Sequence, residues 1–422
     1  MTTKALKNNY FLPLALIFSL FFLWAISSNL LPTMIRQLMK TCELNTFQAS
    51  FTETAYWLAY FLFPIPIAMF MKRYSYKAGI ILGLLIAATG GLLFFPAAAM
   101  QSYWAYLVIF FIIATGFCFL ETAANPYVKA LGDPATATRR LNLAQSFNGL
   151  GAFVSAMFLS KLVLSGQNYT RATIPADYVG GWEAYIKFET EAIKLPYLIL
   201  ASVLIFIAIV FIFSHLPKIK EGNVEEGAPV KEKMLDFKVL KRKHFRWGVI
   251  AQFFYNGGQT SINSLFLVYC CTYAGLDEAK ATTFFGLYML AFFVGRWIGT
   301  LLMVKFKPQN MLLYYSLINV ALCGVIMIYG GTTGLYAMLA ISFFMSIIYP
   351  TQFSLALEDL GSNTKVGSAF LVMAIIGNAF LPQATAYIMH LNPVYYKIAY
   401  VIPFVSFMFC AYYGWRGYKI RD

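Results

Sequence analysis

The chain has 422 residues, of which 60% are hydrophobic, 18% aromatic and only 12% charged, with a formal net charge of +14. A soluble domain is about 45–50% apolar and about 25% charged, so the composition excludes a soluble globular protein. The basic surplus does not mark a nucleic-acid partner either. That reading needs a soluble basic domain, and the sequence has none.

Apolar runs of about 20 residues, enough to cross roughly 30 Å of hydrocarbon as helix, recur along the chain. Taken in order, they predict twelve spans at 11–38, 48–71, 78–98, 103–130, 140–165, 195–216, 246–273, 279–304, 310–329, 334–357, 364–390 and 395–415. The basic start and apolar run of residues 1–31 resemble a signal peptide. The run is too long and lacks a small-residue cleavage site, so it reads as the first span. Spanning β-strands would show alternating segments of about ten residues, which this sequence lacks. The expectation is an all-α, multi-pass membrane protein whose solvent is the lipid bilayer.

Charge predicts orientation. On this topology 23 of the 32 Lys and Arg lie on the side that holds both termini, 8 lie on the other, and Arg296 falls within a span. The excess of Lys and Arg in cytoplasmic loops then puts both termini in the cytoplasm.

The only long polar break on that side is "LPKIKEGNVEEGAPVKEKMLDFKVLKRKHFRWG", Leu216 to Gly248. Mixed charge and Gly/Pro punctuation make it a linker with a short surface helix at its end. It divides the chain into a six-helix bundle at 1–216, a linker at 217–245 and a second bundle at 246–422. A weaker insertion at 166–194, with Asp177, Glu183, Glu189 and Glu191, faces outward as a cap. The halves echo one another. Spans 2 and 8 both end in basic segments, and spans 4 and 10 each carry a proline, in "ETAANPYVKALGD" and "SIIYPTQFSLALEDLG". Six plus six with parallel halves is the layout of the major facilitator fold.

Charged side chains at bilayer depth cost about 2.5–3.5 kcal/mol on insertion scales, so each marks a candidate site. Glu121 lies in the middle of span 4, with Asn125 one turn on and Pro126 next. Glu53 lies in the outer part of span 2. Glu358 and Asp359 close span 10 and read as gate or salt-bridge residues, with Arg296 as a partner. In span 7, Gln252, Asn256, Gln259 and Asn263 fall at i, i+4, i+7 and i+11, one stripe along a helix. Amides both donate and accept, so such a stripe suits a polyhydroxylated ligand; the bland alternative is helix-to-helix glue. Asn142, Gln145 and Asn148 add amides on span 5, Asn29 and Trp24 lie on span 1, and Asn378 and Gln383 on span 11. Trp24 and Tyr255 are candidates to stack a sugar ring. The six cysteines form no C-x-x-C pair, so no metal or redox site is expected, and no cofactor.

"YKAGII", "FLETAANPYV", "RLNLAQSFNGLGA", "AQFFYNGGQT", "FFVGRWIGT" and "FMSIIYPTQFSLALEDLGSNTKVGSAFLVMAIIG" resemble signatures of the fucose–proton symporter branch of the major facilitator superfamily. The resemblance runs from span 1 to span 11. It implies alternating access and uptake of a hexose or deoxyhexose such as L-fucose, glucose, galactose or N-acetylglucosamine. It also implies that Glu121 serves sugar binding and proton handling, and that Asn142, Gln145 and Gln259 match family amides. Span 1 departs from the pattern. Asn29 stands in "WAISSNLLPTMI", but Pro32 occupies the place of the family's coupling aspartate, while Glu53 is an extra acid on span 2. Acids on spans 2 and 4 resemble those of sodium-coupled porters of the same superfamily. The coupling cation is therefore left as H⁺, or Na⁺ at Glu53 and Glu121.

The reading is a cation-coupled sugar symporter, with Glu53 and Glu121 coupling, no nucleic-acid partner, and a monomeric state. A non-transporting sugar sensor would share the cavity, and an exporter of small molecules is the third possibility. No nucleophile–base set or phosphate loop supports an enzyme.

Overall fold

The computed structural model describes residues 11–44, 46–100, 102–159, 169, 171, 173–217, 220–221, 224–225, 237–391 and 396–419. The chain is built from twelve consecutive helical spans. In the N-terminal bundle α1 is Phe11–Thr41, α2 is Thr46–Leu62 continued by Pro64–Arg73, and α3 is Tyr76–Leu92 continued by Phe94–Met100. Then follow α4 (Tyr103–Ala130), α5 (Ala137–Val154, with a π turn at Ser155–Leu159) and α6 (Gly181–Phe213). The second bundle holds α7 (Lys243–Thr272), α8 (Glu278–Leu302), α9 (Pro308–Ile328), α10 (Gly331–Met345 and Ile348–Ala356), α11 (Thr364–Met373, a 3-10 turn and Gly377–Leu391) and α12 (Val401–Trp415).

Among the described residues nine helices are long and apolar enough to cross a membrane, or ten with the two pieces of α2 taken together. The two spans outside that set are α5 and α7, which carry amides along their length. Their polar residues dilute the apolar signal because those faces turn away from lipid.

Local sequence explains the breaks. α2 bends by 41° between Leu62 and Pro64, where proline removes a backbone donor and crowds the preceding turn. Ser75 caps α3 by accepting from the Ala78 amide at 2.9 Å, and Asp277 caps α8 through the Lys280 amide at 2.8 Å. Pro126 and Pro350 each leave the carbonyl four residues earlier without its helical partner. Thr122 O is taken by Ser368 Oγ at 2.9 Å, and Ser346 O by Arg296 Nε at 2.7 Å. The paired prolines of spans 4 and 10 thus create acceptors that other helices fill.

The two bundles repeat one packing scheme. α1 packs on α5, α2 on α4, and α3 on α4 and α6; six helices later, α7 packs on α11, α8 on α10, and α9 on α10 and α12. Across the seam α5 meets α8, and the second piece of α2 meets the start of α11. Two glycines allow the α1–α5 and α7–α11 approaches. A Cβ on Gly151 would lie 2.4 Å from Phe22 O, and one on Gly377 would lie 2.2 Å from Phe253 O.

Two expectations need adjustment. The sixth span begins at Gly181, not 195: the charged part of the insertion at 166–194 forms the first turns of α6. Glu189 in that segment is buried and accepts from Gln37 Nε2 at 2.5 Å. An apolar-run boundary misses a charged turn that is solvated on one side and hydrogen-bonded on the other. At the end of the bundle away from the linker, Glu43 accepts from Arg171 Nε at 2.7 Å and Trp182 Nε1 at 2.9 Å, which lowers its pKa below the ordinary value, Arg171 first. The short helix at the linker's end is a 3-10 turn, Phe237–Lys241. The predicted outer end of span 5, at 160–165, and most of the linker lie outside the described residues.

Gly151→Val and Gly377→Val should each destabilise the protein, by about 1–3 kcal/mol or more, because the inserted carbons meet backbone oxygens that cannot swing aside. Thermal unfolding of the purified protein in detergent checks this; unchanged midpoints for both would mean that these helix pairs are not packed this closely.

Candidate functional site

A cavity of about 160 Å³ lies between the bundles. Trp24 and Asn29 reach it from α1, Trp57 and Tyr60 from α2, Glu121 from α4, and Gln145 and Asn148 from α5. From the other half come Asn256, Gln259 and Asn263 of α7, Tyr288, Phe292 and Arg296 of α8, Tyr349 of α10 and Asn378 of α11. The wall is thus amides and aromatic rings, with one acid and one base.

Glu121 is 3% exposed. Its Oε1 accepts a hydrogen bond from the hydroxyl of Tyr349, a residue of the opposite bundle. Arg296, also 3% exposed, makes no ion pair with it. The Arg296 guanidinium donates to Ser346 O at 2.7 Å and to Gln145 O at 2.6 Å, and lies 4.4 Å above the Phe292 ring. A cation and an acid therefore face one cavity, each held by neutral groups of the protein.

The α7 stripe turns three of its four amides to the cavity. Asn256 donates to Gln252 O at 2.7 Å, Asn263 accepts from the Tyr288 hydroxyl, and Gln259 makes no hydrogen bond to the described residues. Gln252, the fourth, is buried behind the wall. Asn125 also lies behind it, accepting from Gln145 Nε2 at 3.1 Å and donating to Glu121 O at 3.1 Å; it orients the wall instead of lining it. Asn142 is buried at the seam, donating to Thr138 O at 3.0 Å and to Thr351 Oγ1 at 3.2 Å. Tyr255 lies outside the cavity with its hydroxyl on Met345 O at 2.9 Å, and Gln383 is exposed.

Glu53 does not line the cavity. It is half-buried one turn beyond Trp57 on the same side of α2, without a hydrogen bond or ion pair to the described residues. The pairing of Arg296 with Glu358 and Asp359 does not occur. Arg296 bonds at the level of Ser346, whereas the acids follow α10 twelve residues later, about 18 Å along a helix. Their backbone oxygens instead meet the start of α7: Glu358 O lies 3.1 Å from His244 Nε2, and Asp359 O accepts from Arg242. The charged group that does reach this end of α10 from the other bundle is Lys129, whose Nζ donates to Ser354 O at 2.5 Å. Thr138 Oγ1 joins Ser354 Oγ at 2.8 Å beside it. Sequence reasoning passed over Lys129, Tyr349, Tyr60, Trp57 and Tyr288. One tyrosine among 28 carries no signal until a helix turns it to an acid.

Two six-helix bundles with a polar cavity on their shared axis define a carrier of small polar solutes. The sequence profile of the Major Facilitator Superfamily matches residues 14–382, and the chain belongs to that superfamily. It is 37% identical over 384 residues to the L-fucose-proton symporter of Escherichia coli (strain K12), covering 90% of this chain and 88% of that one. It is 33% identical over 420 residues to the glucose/galactose transporter of Brucella abortus, covering 99% and 97%. Among solved structures, that of the superfamily transporter FucP in the outward conformation aligns with a TM-score of 0.86 at 36% identity, covering 96% of this chain and 98% of that one.

Tyr349→Phe should remove the one side-chain hydrogen bond that, among the described residues, reaches Glu121 across the seam, and lower stability by about 1–3 kcal/mol. In a Glu121→Gln background the same change should cost less, because a neutral amide is left unpaired in place of an acid. Thermal unfolding of the four proteins checks the coupling; additive shifts would mean that the pair does not interact.

Proposed function

We propose that this chain is a proton-coupled symporter of a hexose or deoxyhexose. The observation that carries the reading is Glu121: a buried acid on the cavity wall, hydrogen-bonded across the seam by Tyr349 and surrounded by amides and aromatic rings. Asn29, Gln145, Asn256, Gln259 and Asn263 offer paired donors and acceptors to sugar hydroxyls, and Trp24 offers a flat apolar face to the ring. Asn125 and Asn142 act on the sugar through the wall they orient. An ionised carboxylate is costly at this depth, so closure around the sugar goes with a proton on Glu121. One proton moving down 100 mV releases about 2.3 kcal/mol, enough for roughly a fifty-fold sugar gradient.

In this reading the bundles 1–216 and 246–422 rock about the cavity while the linker 217–245 tethers them. Both termini and the linker face the cytoplasm of a bacterium, the inner membrane holds the protein, and one chain suffices. Lys129 with Ser354, together with Glu358 and Asp359, forms the gate on the linker side, and Arg296 holds α5 against α10. Glu53 is the outer coupling acid, taking up the proton before Glu121. A sodium ion shared by Glu53 and Glu121 fits less well, since only Glu121 reaches the cavity.

In proteoliposomes a pH gradient, acid outside, should drive accumulation of one member of a hexose and deoxyhexose panel, and a sodium gradient should not. Accumulation with sodium alone would replace the proton. Glu121→Gln should abolish concentrative uptake in a protein that still folds; wild-type accumulation would remove Glu121 from the mechanism.

Gln259→Ala and Asn256→Ala each leave a sugar hydroxyl unpaired, at about 1–3 kcal/mol, so affinity should fall by one to two orders of magnitude. Affinities within twofold of wild type for both would make the stripe helix glue. Glu53→Gln should stop gradient-driven uptake yet retain sugar counterflow. Loss of both activities would place Glu53 in the sugar site or the scaffold, and retention of both would make it an interfacial acid.

A further inference from the structure

Behind Tyr349 the second bundle is unexpectedly polar. Gln252 on α7, Ser316 and Asn319 on α9, Gln352 on α10 and Tyr413 on α12 are all completely buried. Among the described residues, both polar atoms of Asn319, the Ser316 Oγ and the Tyr413 Oη have no hydrogen-bond partner, and the amides of Gln252 and Gln352 have none beyond their close approach to the Tyr349 hydroxyl and the Cys410 thiol. Native interiors rarely leave such atoms alone, and a cluster of them is the usual lining of ordered internal water.

The groups are in file. Gln252 lies beside the Tyr349 hydroxyl that donates to Glu121. Gln352 is one turn from Tyr349 on α10 and lies beside the Cys410 thiol, which in turn is 4.0 Å from Ala251 O, next to Gln252. Tyr413 follows Cys410 by one turn. Its hydroxyl is 3.0 Å from where a Cβ on Gly248 would be, one turn before Gln252. Glu358, at the linker-side end of α10, has its backbone oxygen 3.1 Å from His244 Nε2, one turn before Gly248 on α7. From the cavity to the linker side, an acid, a phenol, two amides, a second phenol and an acid succeed one another.

We propose that this interior holds a file of water that carries the transported proton from Glu121 to the linker side, inside the second bundle and apart from the route of the sugar. When Glu121 is protonated its bond to Tyr349 reverses, the carboxyl donating and the phenol oxygen accepting, and Glu121 gives its proton to that oxygen as the turned hydroxyl gives its own to water held by Gln252. Each member gains one proton and loses one, and one H⁺ leaves near Glu358. The sugar leaves through the seam, past Lys129 and Ser354. The route rests on the proton-symport reading; the hydration of the bundle does not.

Two measurements on the full-length protein decide it. Radiolytic hydroxyl labelling, read by mass spectrometry, marks side chains that touch bound water. Cys410 and Tyr413 should be labelled despite their burial, and Gln352→Leu should reduce the label at Cys410 severalfold. No label at either residue means a dry bundle and overturns the proposal. In proteoliposomes, Gln352→Leu should lower pH-driven accumulation about tenfold, the loss of one buried hydrogen bond, with sugar counterflow within twofold of wild type. Labelling with unchanged accumulation makes the water structural and overturns the route. If Gln352→Leu loses both transport modes, Tyr413→Phe is decisive: selective loss of pH-driven uptake supports the route, and any other outcome overturns it. A wild-type protein that ignores the pH gradient would overturn proton symport instead, leaving the labelling result to stand by itself.

Discussion

Hydrocarbon offers no hydrogen-bond partner, and that constraint orders this molecule. Every deep polar group must find its partner inside the protein or on a wet surface. The result is a lipid-facing shell of apolar side chains around a polar seam. Even the backbone obeys it. The carbonyls freed by Pro126 and Pro350 are claimed by Ser368 and Arg296, so the helix breaks that shape the cavity also tie helices together.

The same constraint explains why the cavity has its chemistry. Amides are cheaper to bury than charges and answer hydroxyls in both directions, so the wall is largely amide and aromatic. The single acid is tied to the opposite bundle through Tyr349, which links its state to the relation between the halves. Lys129 and Ser354 close the seam further towards the linker. The cavity amides, Glu121 and the contact of Lys129 with Ser354 therefore lie along one interface between the bundles.

The second bundle is where, among the described residues, completely buried polar atoms without partners gather. Its completely buried amides mirror no comparable set of unpartnered amides around Glu121, where Asn125, Gln145 and Asn142 are largely satisfied. A bundle that served only as scaffold would have little reason to retain them, since apolar side chains pack there at lower cost.

Much of this was legible in the sequence because lipid leaves few choices. Run length located the spans, with Tyr103–Ala130 matching to the residue, and the i, i+4, i+7, i+11 spacing put Asn256, Gln259 and Asn263 on one wall. Glu121 stood out because an acid in a greasy helix has no other reason to be there. Distance between elements was not legible. The sequence offered Arg296 to Glu358 and Asp359, but helical rise separates them and Gln145 takes the guanidinium. It could not separate the amides that face the cavity from Asn125 and Asn142 behind it, nor pick Tyr349 from the other tyrosines. Periodicity reports which residues share a helix face; which face meets which, and at what height, is decided only by packing twelve helices around one seam.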